Sequence, residues 1–284
     1  MSEKIAHIKV LKPGISSVQD LGRFGYLSEG IPRAGFMDET AAGLANALVG
    51  NTPDVALIEW TTLPPKLQFT DSAIIALTGV TATVFINDRK VQLHKRLLVP
   101  KNGILSFKQI TKGVYGYIAV KHGVKTTEVL GSRSWFLNIT TNVLFKKNMQ
   151  VPFISTLNKV ESNVKLKASF KDSDTIILKA FKGPEFNLLS AVQKDLLLNS
   201  IFKPSIHKNR MGVQIEPEFE KHTNSILSAP TIPGTVQWTP SGKLIVLMKN
   251  GQTIGGYPRL LQLTESSIID FSQITGSFLF KIID

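Results

Sequence analysis

The stretch "AIIALTGVTATVFI" (residues 73–86) decides the fold class of this chain. It holds two short apolar runs, residues 73–78 and 82–86, and the turn residues Asn87 and Asp88 follow directly. Short apolar runs rich in β-branched residues and bounded by turn residues are typical of β-strands. The stretch therefore predicts two consecutive strands rather than a helix.

Similar short runs recur along the 284 residues, at positions 6–10, 104–108, 115–120, 175–180, 243–248 and 277–283. Many short strands separated by turn residues indicate an antiparallel sandwich or barrel. The sequence thus predicts a mostly β protein.

Two segments instead show helical spacing, one in each half of the chain. Residues 37–51 have apolar side chains at helical intervals, with Asp38 as a natural N-cap and Gly50 as a natural C′ residue. In residues 183–200, Pro184 suits the first turn of a helix. Three apolar residues of this second segment recur every four positions: Leu188, Val192 and Leu196.

Composition excludes several classes of function. The absence of cysteine excludes disulfides and thiolate catalysis. The five histidines lack metal-ligand spacing, so we expect no metal site. No apolar run approaches the roughly 18 residues of a membrane span. The N-terminus lacks a signal-peptide core, so we expect a cytoplasmic protein that does not associate with a membrane.

The formal net charge of +12 raises the question of a nucleic-acid partner. The lysines are mostly scattered, and in residues 164–171 they alternate with apolar residues, as on the solvent face of a strand. No nucleic-acid motif occurs, so we expect no nucleic acid. A basic surface for an anionic small molecule or an acidic partner protein remains the alternative.

A glycine-rich loop, "SVQDLGRFGYLSEGIPRAGFMD" (residues 17–38), carries candidate binding residues. Glycines let a loop approach a ligand, and Arg23 offers a planar fork for a carboxylate or phosphate. The loop leads into the predicted first helix, whose free N–H groups favour anions. The alternative is a long structural connection in which Asp20 and Arg23 pair and Asp38 is only a cap.

Two more arginines and one glycine-rich segment carry a similar ambiguity. Arg133 lies in "GSRS" (131–134), and Arg210 precedes an apolar strand in "HKNRMGV" (207–213). Each is a ligand candidate or an ordinary structural arginine. The segment "GQTIGGYPR" (251–259) follows the apolar strand at 243–248 and contains three glycines in nine residues. Glycine within a strand or helix lowers its stability, so this concentration needs an explanation. Either it forms a cleft wall or it is a β-bulge at a barrel corner.

These motifs resemble one family over nearly the whole chain. The motifs that carry the resemblance are, in order, "VQDLGRFGY", "AGFMD", "ANALVGN", "IALTG", "GSRS", "GPE", "NRMG", "PGTVQ" and "GGYP". In this order and spacing they resemble the C subunit of 5-oxoprolinase, a family also named KipA, allophanate hydrolase subunit 2 or biotin-dependent carboxyltransferase family protein.

The resemblance implies a cyclophilin-like β-barrel architecture with two barrel-type domains. A polar, lysine-rich stretch near residues 155–173 is the best candidate for their junction. We predict an N-terminal domain of residues 1–165 and a C-terminal, cyclophilin-like domain of residues 166–284. The sequence leaves open whether the domains are continuous.

The resemblance also implies a function in a complex. We expect this chain to be one subunit of an ATP-dependent 5-oxoprolinase, the enzyme that opens 5-oxoproline to glutamate. The other subunits of the complex would be a KipI-like B subunit and a large A subunit. The chain alone is expected to be inactive and to bind no cofactor, ATP being used by the complex. Fused relatives carry biotin on a Met-Lys-Met motif, and this sequence has none, so we expect neither a biotin carrier nor a fused companion here.

Two alternatives remain open under the same resemblance. One is a regulatory antagonist that binds a KipI-like kinase inhibitor, and the other is part of a carboxyltransferase that acts on urea-like substrates. The sequence does not separate them from the 5-oxoprolinase, because all three would use the same fold and motifs.

Residue chemistry within the matching motifs suggests the site. Its candidate catalytic residues are Asp20, Arg210 and Tyr257. Its candidate substrate-binding residues are Arg23, Arg133, Gln237, Thr253, Gly255 and Gly256. The arginines would bind the anionic group, Gln237 and Thr253 the amide, and Asp20 would hold Arg23 or take a proton. Pro258 biases Tyr257 to an extended backbone, which would aim its phenol as a hydrogen-bond donor.

Overall fold

A computed structural model describes residues 4–156 and 175–283. Strands are the predominant regular secondary structure of these residues, with three α-helices among them, which confirms the predicted mostly β architecture. They form two compact units. The first contains the described residues up to Arg23 and those from Ala34 to 156, and the second contains Phe24–Arg33 and the residues from 175 onward. The predicted domain boundary between residues 165 and 166 lies outside the described residues.

The first unit holds two sheets and one α-helix, α1 (Glu39–Val49). Its strands are β1 (Ile5–Lys12), β2 (Ile15–Gln19), β3 (Leu57–Thr61), β4 (Lys66–Phe69), β5 (Ala73–Thr78), β6 (Thr81–Ile86), β7 (Arg89–Val91), β8 (Leu97–Val99), β9 (Ile104–Lys112), β10 (Tyr115–Val120) and β11 (Gln150–Ile154). One sheet has the order β11-β1-β4-β9-β6-β7, and the other has the order β2-β3-β10-β5-β8. All of their pairings are antiparallel.

The two predicted strands at 73–86 form as expected, but they belong to different sheets. Strand β5 lies in the five-stranded sheet and β6 in the six-stranded sheet. Gly79 makes the crossing with a positive φ of 81°. A Cβ at this position would lie 2.4 Å from the carbonyl oxygen of Tyr115, so only glycine fits the crossing.

The core of the first unit draws apolar residues from both sheets. It includes Ile8, Val10, Leu67, Phe69, Leu105 and Phe153 from the first sheet and Ile58, Trp60, Ile75, Leu77, Ile118 and Val120 from the second. Full burial of each such side chain stabilises the fold by roughly 1.5–3 kcal/mol. Because many strands contribute to this shared core, the sequence contains many short apolar runs.

Helix α1 explains why "AIIALT" is apolar without alternation. The helix packs on β5 and β10, and Thr78 Oγ1 donates a hydrogen bond of 2.7 Å to the carbonyl oxygen of Ala41. Both faces of β5 are therefore covered, and all of its residues are buried. The predicted caps are confirmed: Asp38 Oδ1 accepts from the Ala41 N–H at 2.8 Å, and Gly50 has a φ of 78°.

The second unit contains a seven-stranded sheet of order β13-β14-β17-β16-β19-β12-β20 and a two-stranded pair, β15-β18. These strands are β12 (Thr175–Lys182), β13 (Lys203–Lys208), β14 (Gly212–Glu216), β15 (Ala229–Pro230), β16 (Thr235–Trp238), β17 (Leu244–Leu247), β18 (Ile254–Gly255), β19 (Arg259–Leu263) and β20 (Ser277–Ile282). Only the β12–β20 pairing is parallel among the pairings of the described strands. Its helices are α2 (Ala191–Asn199) and α3 (Glu265–Ser272), with 3₁₀ turns at Leu27–Glu29 and Phe186–Leu188.

The predicted helix over residues 183–200 is shorter than expected. Helix α2 begins only after Ser190, whose side chain forms a capping box with Gln193. Pro184 is outside the helix, because Gly183 is held to β19 by a 2.8 Å hydrogen bond to Leu260 O. Of the recurring residues that predicted the helix, Leu188 lies before it in a 3₁₀ turn, and Val192 and Leu196 are on its exposed side. Leu197 is its buried residue.

Helix α3 is a feature that the sequence analysis does not predict. Thr264 caps it by accepting from the Ser267 N–H, and Ile268 and Phe271 are its buried apolar residues. None of the helices in the described part of the chain combines the length and apolar character that a membrane crossing requires.

Candidate functional site

Asp20 joins the glycine-rich loop to the "GSRS" motif in the first unit. Its Oδ1 accepts hydrogen bonds from the Gly22 N–H at 2.8 Å and from the hydroxyls of Ser132 and Ser134, each at 2.6 Å. Its Oδ2 accepts from the Arg133 N–H at 2.5 Å. Four donors thus converge on one buried carboxylate, an arrangement typical of a residue that positions loops.

Arg23 is a buried arginine whose hydrogen bonding is incomplete. It is 2% exposed, and its Nη2 donates to the carbonyl oxygen of Ser134 at 2.6 Å. Its Nε and Nη1 are buried and have no hydrogen-bond partner among the described residues. Burial lowers the pKa of Arg23, against the opposing effect of the Asp20 charge. An anionic group at these two nitrogens would supply the missing acceptors.

Arg133 is committed to the loop that precedes its own motif. Its Nη1 donates to the carbonyl oxygen of Thr126, and its Nη2 lies 3.3 Å from Glu128 Oε2. Asp20, Arg23 and Arg133 therefore meet around Ser132 and Ser134, and each contacts the motif differently.

The second unit brings Gln237 together with the glycine motif. Gln237 is 2% exposed, its Oε1 accepts from Gln252 Nε2 at 3.3 Å, and its Nε2 is buried with no partner in the described structure. A Cβ on Gly255 would lie 2.5 Å from Gln237 Nε2 and 2.7 Å from Gln252 Nε2. The missing side chain at Gly255 thus makes room for two amide groups.

Thr253 and Tyr257 lie two residues before and two residues after Gly255 in the chain. The carbonyl oxygen of Thr253 accepts from the Thr231 N–H at 2.9 Å, and the Thr231 hydroxyl donates to the carbonyl oxygen of Gln252 at 2.5 Å. Tyr257 is 41% exposed, so its ring is available at the surface of the segment.

Gly256 differs from Gly255. Its nearest neighbour for an added Cβ is the carbonyl oxygen of Ile226 at 3.6 Å, an ordinary contact distance. The register between β16 and β19 also shifts between the pairs Val236–Leu261 and Gln237–Arg259. A β-bulge therefore follows the motif directly, beside the close approach at Gly255.

Arg210 lies in the connection between β13 and β14 and is hydrogen-bonded to the turn that leads into this segment. Its Nη2 donates to Asn250 Oδ1 at 3.1 Å, and its carbonyl oxygen accepts from the Asn250 N–H at 2.8 Å. The side chain is part-buried. Arg210 is thus tied to Asn250, which precedes the glycine segment directly in the chain.

Sequence reasoning missed the pair formed by Glu185 and Arg259. Arg259 donates from Nε to Oε2 and from Nη2 to Oε1 of Glu185, and its N–H donates to Oε2, each at 2.9 Å. Its Nη1 donates to the carbonyl oxygen of Pro230. The hydrogen bonds from Arg259 lower the pKa of Glu185, and those to Glu185 raise the pKa of Arg259. The signal was present, since Glu185 ends "GPE" and Arg259 ends "GQTIGGYPR".

Comparison with known proteins gives first the class of fold. The solved Kluyveromyces lactis Urea Carboxylase contains this fold with a TM-score of 0.88, over 100% of this chain and 28% of that one. Their sequences are 24% identical, so this likeness shows the fold alone.

Sequence comparison then gives the family. The chain belongs to the family "Carboxyltransferase domain, subdomain A and B", which matches residues 29–277. It is 30% identical to the C subunit of 5-oxoprolinase from Escherichia coli, over 94% of this chain and 87% of that protein. It is 27% identical to the C subunit of 5-oxoprolinase from Haemophilus influenzae, over 91% of this chain and 84% of that protein. The resemblance inferred from the motifs is confirmed.

Proposed function

We propose that this chain is the C subunit of an ATP-dependent 5-oxoprolinase, which opens 5-oxoproline to glutamate. One observation carries the proposal: the similarity to two proteins named as the C subunit of 5-oxoprolinase extends over most of both chains in each comparison. The proposed partners are a KipI-like B subunit and a large A subunit. The complex of the three subunits would use ATP.

Each of the two residue clusters, taken by itself, suits one group of a small acidic amide. 5-Oxoproline carries a carboxylate and a ring amide. The unpaired donors of Arg23 suit the carboxylate, because a guanidinium forms strong charge-assisted hydrogen bonds with it. A glutamine offers both a donor and an acceptor to an amide, and Gln237 has a buried donor without a partner in the described residues.

The remaining candidate residues have supporting roles in this proposal. Asp20 positions the Ser132–Ser134 loop, on which Arg23 depends through the carbonyl oxygen of Ser134. Arg210 contributes positive charge toward an acyl or imidate phosphate, the activated form of the amide. Tyr257 offers an exposed phenol as a hydrogen-bond donor.

The test is reconstitution. The chain is expressed with relatives of the A and B subunits, and ATP-dependent release of glutamate from 5-oxoproline is measured with and without it. We expect turnover only when all three are present, and neither turnover nor ATP hydrolysis by this chain alone. Full activity of the A and B subunits without this chain would overturn the proposal.

A carboxyltransferase role is the second candidate, and the name of the matching family favours it. The same reconstituted complex separates the two proposals. Carboxyl transfer to urea from carboxybiotin supplied in the assay, without turnover of 5-oxoproline, would favour the carboxyltransferase role, and the reverse would favour the 5-oxoprolinase.

A further inference from the structure

The first unit contains a cavity of about 230 Å³ that none of the motif-based assignments uses. It lies between the loop at residues 125–129, the loop at 140–142 and the beginning of β11. Trp135 provides an aromatic wall, and Val129, Met149, Val151 and Pro152 add apolar surface. A concave, partly apolar site with a few polar groups is the usual form of a small-molecule site.

The polar groups of the cavity are available to a ligand. Lys125, Thr127, Thr141, Asn142 and Gln150 line it, and none of their side chains forms a hydrogen bond or ion pair with another described residue. The hydroxyl of Thr126 is buried without a partner in the same part of the chain.

The charge of the lining has one sign. Lys125 supplies the positive charge, and none of the described residues that line the cavity is Asp or Glu. The nearest carboxylate in sequence, Glu128, is held 3.3 Å from Arg133 Nη2. Arg133 also fixes the carbonyl oxygen of Thr126, so it acts as a positioning residue for this wall.

We propose that this cavity binds a small monocarboxylate, with Lys125 as the charge partner. A single ammonium together with neutral hydroxyl and amide groups matches one negative charge better than the two of a phosphate, which is usually bound by arginine forks or several N–H groups. The volume is below the usual range of about 300–1,000 Å³ for drug-sized ligands, so the ligand is small. The site is independent of Arg23 and Gln237, to which we assign substrate recognition.

The test uses the full-length chain alone and the emission of tryptophan. Of the three tryptophans, Trp135 lines the cavity, while Trp60 and Trp238 are 2% exposed and lie outside its lining. 5-Oxoproline and acetate are titrated as two monocarboxylates. 2-Pyrrolidinone, which has the same ring without the carboxylate, and inorganic phosphate are the comparison ligands. Calorimetry repeats each titration, so the result does not depend on the emission of Trp135.

We expect saturable binding of at least one of the two carboxylates, and none of 2-pyrrolidinone. Lys125→Met should weaken this binding about tenfold or more, because it removes a charged hydrogen-bond donor and keeps the aliphatic stem. Lys121→Met is the matched control, since Lys121 is in the same unit but does not line the cavity, and its binding should equal that of the wild type.

Three results would overturn the proposal: no binding of either carboxylate by both methods, equal binding of 2-pyrrolidinone, or unchanged binding in a folded Lys125→Met. Tighter binding of phosphate would overturn the choice of a monocarboxylate. Because binding is measured on the chain alone, its outcome is separate from turnover by the complex.

Discussion

Arg259 donates three hydrogen bonds to the carboxylate of Glu185, two from its guanidinium and one from its main-chain N–H. The side chains are 19% and 16% exposed. This contact connects the "GPE" turn, which precedes α2, to the end of "GQTIGGYPR". Arg259 Nη1 also donates a hydrogen bond to the carbonyl oxygen of Pro230. The ion pair with Glu185 thus fixes the position of Arg259, the last residue of the glycine segment.

Glu185→Gln should destabilise the second unit at neutral pH. The variant keeps the shape of the side chain but leaves Arg259 without its counter-charge and opposes it with an amide NH₂. Breaking a largely buried pair on one side leaves an uncompensated charge, so we expect a loss of about 2–4 kcal/mol. Urea denaturation measures the loss. Glu220→Gln, an exposed carboxylate of the same unit, is the control and should change the free energy of unfolding very little.

The contribution of this pair should depend on pH in a defined direction. The pKa of Glu185 in the folded protein is below its ordinary value of 4.5, mainly because Arg259 donates hydrogen bonds to it. The stabilisation is therefore present above pH 4.5 and is lost as the pH falls through the folded pKa. We expect the difference in unfolding free energy between wild type and Glu185→Gln to be constant near neutrality and to shrink below pH 4.5. A difference that grows on acidification would contradict this account.

Gly255→Ala and Gly256→Ala should have unequal effects. A Cβ at Gly255 would be 2.5 Å from Gln237 Nε2, so the buried amide must move, at a cost of roughly 1–3 kcal/mol for an overpacked site. At Gly256 the nearest atom is 3.6 Å away, and alanine fits. Melting temperatures of the two variants test this. Equal stability of both would show that Gly255 is not needed for the approach.

The sequence predicted what depends on local chemistry and missed what depends on partners distant in the chain. The caps of α1 at Asp38 and Gly50 were predictable, because each requires a residue type at a fixed offset. The beginning of α2 was not, because Gly183 is bound by β19, far along the chain. Helical spacing likewise identified the second helix without showing that Leu188 lies before it and that Val192 and Leu196 are on its exposed side.

The same distinction applies to the candidate site. The motifs indicated where Asp20, Arg23 and Gln237 would matter, but a motif does not show which hydrogen bonds a side chain already makes. The four donors on Asp20 come from two segments that are distant in the sequence, its own loop and the "GSRS" motif. Nothing local to "VQDLG" reveals that its carboxylate is saturated.

Arg210→Lys should reduce the activity of the reconstituted complex about tenfold or more, because lysine lacks the planar fork. The melting temperature should change little, since lysine keeps the positive charge and a donor for Asn250 Oδ1, and the side chain is only part-buried. Both quantities are measured on one preparation. If activity falls only in proportion to the folded fraction, Arg210 has a structural role; wild-type activity would remove it from the site.

Arg23→Met offers the sharpest separation of stability from function. A buried guanidinium with two unpaired nitrogens contributes unfavourable desolvation, so its replacement by an apolar side chain of similar length is expected to be nearly neutral or stabilising. The hydrogen bond to the carbonyl oxygen of Ser134 is lost, which offsets part of that gain. We expect the melting temperature to remain within about 4 °C of the wild type, the shift that roughly 1 kcal/mol produces in a protein of this size.

The activity of the complex should fall although the melting temperature hardly changes, because the unpaired donors of Arg23 are the proposed partners of the substrate carboxylate. Arg23→Met should lower the activity of the complex by a factor of about 10 to 100, matching the loss of one or two charge-assisted hydrogen bonds. Arg89→Met, on the exposed strand β7, is the matched control and should leave activity and melting temperature unchanged. A strongly destabilised Arg23→Met would instead show that the guanidinium serves the fold, and a stable variant with full activity would exclude Arg23 from substrate binding.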